Sequence, residues 1–147
     1  MAVVLDTNIL LYAVNTACHE HSPCRNYLEH LFSSRETVFI PDNVLYEFLR
    51  VSTHARVFQT PLTSQKASSF VDHLLSQQDV SLLSATKDHW NSLRQLLDEL
   101  GSPSGNFFFD IHTAALMREH GIRQIATADA DFSKIKGLIV HNPLVSQ

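Results

Sequence analysis

The sequence predicts an α/β fold, a mainly parallel sheet sandwiched between layers of helices, and three observations carry that prediction. Short apolar and β-branched runs alternate along the chain with segments of helical period, the order of elements that builds parallel sheets. Two acids, Asp6 and Asp129, follow strand-like runs from opposite ends of the chain, the place beyond the strand carboxyl ends where such sheets bind ligands. With 147 residues, 44% of them hydrophobic, and only four glycines, residues 1–147 fit a single domain whose core needs no disulfide staples.

Val3-Val4-Leu5 reads as the first buried strand, and Asn8 to Val14 as a helix of little polar character. Ser22 and Pro23 have the types expected of an N-cap and first helical residue, opening a helix through Tyr27, Leu28, Leu31 and Phe32. Thr37 to Ile40 is a second strand, after which Pro41-Asp42 opens a helix carrying Val44, Leu45, Glu47, Phe48 and Val51. Ala67, Phe70, Val71, Leu74 and Leu75 recur at helical spacing in a segment entered near Pro61-Leu62-Thr63. Val80 to Leu83 is a short strand. Trp90, Leu93, Leu97 and Leu100 form another helical stripe, ended by Gly101. A helix from about Phe107 to His120 closes at Gly121, and Gln124 to Ala126 and Leu138 to Val140 are the last strands.

The formal charge of −4 lacks the basic footprint of a protein that holds nucleic acid by lysine and arginine alone. It does not exclude a nuclease, because bound cations invert the field of a carboxylate cluster where a phosphate must dock. No run of about 18 apolar residues is present and the N-terminus lacks the features of a signal peptide, so no membrane association and a cytoplasmic location are expected. Cys18 and Cys24 cannot make a disulfide framework. The compact segment from Cys18 to Cys24 has metal-ligand residue types, but structural zinc sites draw on two separated pairs and Ser22-Pro23 already reads as a helix start.

Four acids stand where apolar segments disfavour charge. Asp6 and Asp129 end strand-like runs. Glu47 shares a helix face with Val44 and Val51, and Asp110 shares one with Phe107, Ala114 and Met117. Each has a plainer alternative: Asp6 as a helix cap, Asp129 or Asp131 as turn residues, Glu47 and Asp110 in buried salt bridges. Together they point to a divalent cation, since repeated burial of unpaired carboxylates is costly.

Leu5-Asp6-Thr7-Asn8-Ile9-Leu10, Pro41 to Arg50 around Glu47, Phe109-Asp110-Ile111-His112-Thr113-Ala114-Ala115, and Thr127-Ala128-Asp129-Ala130-Asp131-Phe132 resemble the motifs of PIN-domain nucleases, and more narrowly of VapC-type toxins of toxin–antitoxin pairs. The resemblance spans almost the whole chain, with four motifs in order. It implies a PIN-like three-layer α/β/α sandwich, one or two Mg²⁺ or Mn²⁺ ions, hydrolysis of RNA, a homodimer, and a small antitoxin that blocks the acidic site. Carried residue by residue, Asp6, Glu47, Asp110 and Asp129 match the catalytic acids, with Asp6, Asp110 and Asp129 as metal ligands. Asp129 is favoured over Asp131, which is left to hold water or cap the turn.

Thr7, Asn8, Thr113 and Thr127 are suited to fixing carboxylates or waters, as outer-shell groups do, and equally to helix capping and turn bonding. Arg50, three residues after Glu47, is expected to pair with it, the alternative being an RNA phosphate. Consecutive helix residues point in different directions, so Phe107-Phe108-Phe109 cannot all enter one core face. The resemblance implies that part of the run meets a dimer or antitoxin groove, the alternative being an ordinary thick core around a short N-terminal half-turn. Two rival functions are a Mg²⁺-dependent phosphatase using Asp6 as nucleophile, in which Asn8 replaces the usual second aspartate, and a non-catalytic RNA-binding module.

Overall fold

In the computed structural model, which describes residues 1–145, the first apolar run forms β1 (Ala2–Leu5) and divides its side chains between two cores. Val3 and Leu5 pack on one side and Val4 on the other, as alternation along a strand requires. Strands β2 (Thr37–Pro41), β3 (Val80–Leu83), β4 (Gln124–Ala126) and β5 (Ile139–His141) complete a sheet of order β3-β2-β1-β4-β5. Every pairing in it is parallel.

Helices α1 (Thr7–Val14), α2 (His21–Ser33), α3 (Asp42–Ser52) and α4 (Ser64–Ser76) supply one core, through residues such as Ile9, Leu10, Leu28, Phe48 and Leu74. Helices α5 (His89–Leu100) and α6 (Phe107–Glu119) and a 3₁₀ turn over Ala130–Lys134 supply the other, through Leu96, Ile111, Leu116, Met117 and Phe132. The result is the expected three-layer α/β/α sandwich.

The chain runs outward from β1 through β2 to β3, then returns to the opposite side of β1 with β4. That reversal places a topological switch point between β1 and β4, with the carboxyl ends of both strands opening on one crevice.

The structure moves three sequence expectations. α2 begins at His21 rather than after Ser22, because the Glu20 carbonyl already accepts the Cys24 N–H and His21 Nδ1 is anchored 2.9 Å from the Tyr12 carbonyl. Pro23 falls inside the first turn, where its missing N–H removes no helical bond. Trp90 leaves the apolar stripe of α5 and is 61% exposed, while Leu96 is the fully buried member. The last strand starts one residue late, at Ile139, whose N–H donates to the Arg123 carbonyl at 2.8 Å and opens the pairing with β4. Gly101 and Gly121 terminate α5 and α6 with positive φ of 79° and 69°, a conformation glycine adopts without a Cβ clash. Among the described residues no helix is long and apolar enough to cross a membrane.

Candidate metal centre

Asp6 follows β1 directly and divides its two oxygens between separate tasks. Oδ1 caps α1 by accepting the Thr7 backbone N–H at 2.8 Å. Oδ2 accepts the Thr127 hydroxyl at 2.6 Å and the Asn8 amide at 3.0 Å. The sheet makes this possible: Leu5 lies opposite Ala126, and the Asp6 N–H donates to the Ala126 carbonyl at 3.0 Å. Capping and membership of the acidic site, alternatives on the sequence, coexist in one side chain.

Asn8 and Thr127 tie the two strand ends together. Asn8 Oδ1 accepts the Ala128 N–H at 3.0 Å, and its Nδ2 lies 3.2 Å from Thr127 Oγ1. Thr127 Oγ1 also accepts the Asp129 N–H at 3.0 Å. Both ends of the Asn8 amide are thus engaged in positioning, at the place where the phosphatase alternative calls for a second acid.

Glu47, midway along α3, accepts the Thr7 hydroxyl at 3.1 Å. The expected Arg50–Glu47 ion pair does not form. Among the described residues Arg50 has no acidic partner; it is exposed in the last turn of α3, where helix carbonyls favour a cation. Glu47 and Asp110 also lack salt bridges among the described residues, so neither is the buried ion pair that was the plainer alternative.

Asp110 lies in the first turn of α6, Asp129 just beyond β4, and Asp131 in the 3₁₀ turn. These three offer carboxylate oxygens that all fall within 4.8 Å of one another. Asp129 Oδ1 accepts the Asp131 N–H at 2.9 Å, so a single tight turn delivers both acids. Asp129, favoured on the sequence, and Asp131 both stand in this cluster. Asp6 stands outside this trio, with both acceptor positions of Oδ2 occupied.

The electrostatics match the crowding. Burial, followed by the charges of Asp129, Asp6 and Asp131, pushes Asp110 up to about 7. The N-terminus of α6 favours an anion there, but burial and like charge outweigh it. Asp6, 9% exposed, is raised by burial against the opposing hydrogen bonds from Thr127 and Thr7. All these acids, with Glu47 and Arg50, line one cleft of about 380 Å³. Hard oxygens held this close are a donor set suited to Mg²⁺ or Mn²⁺.

The PIN domain model matches residues 3–138. A VapC ribonuclease of Mycobacterium bovis, Mb2897, is 35% identical over 143 residues, covering 97% of this chain and 96% of that protein. The chain belongs to the VapC ribonuclease family of PIN-domain proteins. Ribonuclease VapC33 of Mycobacterium tuberculosis is 32% identical over 142 residues, covering 97% and 98% of the two chains. Among solved structures, VapBC2 from Rickettsia felis, bound to a DNA fragment from the promoter, matches with a TM-score of 0.70 at 25% identity over 97% of this chain and 98% of that one.

Within this PIN domain, two residues at the site escaped the sequence reading. Lys134 pairs with Asp131 Oδ1 at 2.8 Å, and its i+3 spacing from that acid was the available signal. Asn43 donates to Thr113 Oγ1 at 3.2 Å, joining α3 to α6, and it precedes Glu47 by four residues on the same helix face.

Proposed function

We propose that this VapC-family chain is a Mg²⁺- or Mn²⁺-dependent endoribonuclease, the toxin partner of a small antitoxin, working in the cytoplasm as a homodimer. Ribonuclease activity comes with the family. The metal dependence rests on one observation: Asp110, Asp129 and Asp131 converge from two elements, and Asp110 is pushed up to about 7 by burial and their charge.

Asp110, Asp129 and Asp131 would hold the ion, with Asp6 contributing charge from the adjoining strand end. The bound cation would supply Lewis acidity and neutralise charge on the phosphodiester. Glu47, oriented through one oxygen by Thr7, has its other oxygen available to take a proton from water. Thr127 and Asn8 hold Asp6 and the Asp129 backbone in place. Arg50, exposed in the same cleft, is available to an RNA phosphate.

Pairing with an antitoxin is supported by the Rickettsia felis structure, whose VapBC2 complex shares this fold over nearly the full chain. Exposed Phe108 and Phe109, 42% and 65% accessible, leave apolar surface beside the acids for contact with other molecules.

The test is cleavage of a mixed RNA pool by the purified chain in Mn²⁺ or Mg²⁺ against EDTA, with Asp110→Asn as control. The proposal expects cleavage that needs the metal and disappears in the variant. Equal cleavage in EDTA and in Asp110→Asn would overturn it.

A further inference from the structure

Beside the acidic cleft lies a second cavity, of about 460 Å³, lined by Asn43, Tyr46, Glu47, Arg50, Phe109 and His112. Glu47, Arg50 and Phe109 belong to both spaces, so the cavity opens directly from the place where the scissile phosphate would be held. Its character differs from that of the cleft. Tyr46 comes from α3 and Phe109 from α6, and the two rings are 77% and 65% exposed. Among the described residues neither ring pairs with another aromatic, and neither fills the core.

One polar atom in this cavity is also uncommitted. Asn43 gives its amide nitrogen to Thr113, and its Oδ1 is buried with no hydrogen-bond partner. A buried polar atom without a partner is costly and calls for explanation. His112 stands edge-on to the His89 ring, with centroids 5.3 Å apart. The wall therefore combines π-faces, an imidazole and a buried amide oxygen without a partner, with a guanidinium at the rim shared with the acids.

We infer that this cavity is a nucleobase subsite: it takes one unpaired RNA base flanking the scissile phosphate, stacked on Tyr46 or Phe109 with its edge toward Asn43. Single-stranded RNA is recognised in this way, by splayed bases on aromatic side chains with hydrogen bonds to base edges. A folded peptide side chain also fits an apolar pocket. Continuity with the phosphate cleft, however, favours a group covalently joined to the phosphate that Arg50 meets. The inference rests on the ribonuclease reading for its substrate but not on catalysis for its test.

The probe is a short single-stranded oligouridylate carrying one 2-aminopurine, whose emission is quenched by stacking, with binding followed in parallel by anisotropy. Asp110→Asn protein prevents cleavage during the measurement. Expected is quenching on binding that is retained with Tyr46→Phe, lost with Tyr46→Ala or Phe109→Ala, and accompanied in the alanine variants by affinity roughly tenfold lower. Circular dichroism of each variant checks folding, which an exposed ring should not govern. Binding without quenching, quenching indifferent to Tyr46 and Phe109, or no binding of the oligonucleotide would each overturn the subsite. So would variants that bind RNA normally but no longer capture the antitoxin, which would assign the cavity to a protein partner. Quenching without any cleavage by the native chain in Mn²⁺ would keep the subsite and reject the catalytic reading.

Discussion

The Thr127 hydroxyl donates to Asp6 Oδ2 at 2.6 Å across 121 positions of sequence. The same oxygen accepts from Asn8 Nδ2 and the Asp129 N–H, so its one donor and two acceptor positions are all used. Thr127 is fully buried, and no water can replace what it supplies. Thr127→Val should cost about 2–3 kcal/mol in urea denaturation, from removing one of the two hydrogen bonds to Asp6 Oδ2 and stranding the Asp129 backbone N–H. RNA cleavage should fall at least roughly tenfold, as when an outer-shell partner of a metal site is removed. Thr127→Ser should restore most of both. A valine variant with native stability and activity would show that the hydroxyl is dispensable.

Asp110 gives the metal-free protein a pH dependence of defined sign. Its carboxyl titrates near 3.8 when unperturbed and is pushed up to about 7 in the fold. At low pH both states are protonated and the group is neutral in its effect. As pH rises from about 4 to 7 the unfolded chain ionises first, so folding stability declines, levelling off above 7. Taken whole, the shift corresponds to about 4 kcal/mol, and solvent screening of a half-buried group reduces this to about 1–2 kcal/mol. At pH 8 without metal, Asp110→Asn should therefore melt several degrees higher than the native chain. Saturating Mn²⁺ should reverse the order, because only the native site gains. Equal melting temperatures at pH 8 would remove the basis for repulsion at this site.

Sequence made the sheet and the identity of the acids readable because both are local. Apolar runs as short as Gln124 to Ala126 emerged as strands with the expected ends, and Asp6, Glu47, Asp110 and Asp129 all line one cleft. What stayed hidden depends on rotamers and neighbours distant in sequence. Arg50 is three residues from Glu47 and looked like its partner, yet the Thr7 hydroxyl, forty positions away, takes that place. Asp131 appeared subordinate to Asp129, because a linear reading ranks acids by distance from the strand. The 3₁₀ turn instead folds both toward Asp110. Trp90 fits the spacing of its helix stripe, but it stands in the first turn of α5 and is exposed, which periodicity alone does not register.

Lys134 would compete with a bound cation for Asp131. Its ammonium lies 2.8 Å from Asp131 Oδ1 and 5.5 Å from the centre of the Phe107 ring. An ion bound by Asp110, Asp129 and Asp131 would draw on the same carboxylate. Lys134→Met retains an unbranched side chain able to lie on Phe107 while removing the charge. Isothermal titration should then show Mn²⁺ binding tightened by a few-fold, with Asp131→Asn weakening it. Weaker binding in Lys134→Met would mean that the lysine assists the ion by holding Asp131 in its ligating position.

Arg50 should act on RNA and leave folding alone. It is exposed, has no acidic partner among the described residues, and lines the cleft that holds the acids. A residue in that position contributes through charge to the phosphate backbone, independently of base identity. Arg50→Gln should raise KM several-fold for RNAs of any sequence and leave the urea midpoint unchanged. The dependence of log affinity on log salt should become shallower by about 0.7, the increment for one fewer phosphate neutralised on a single strand. If Arg50 instead served as the counter-charge of Glu47, the same substitution would lower stability and leave the salt slope intact. The two roles therefore separate in a single pair of measurements.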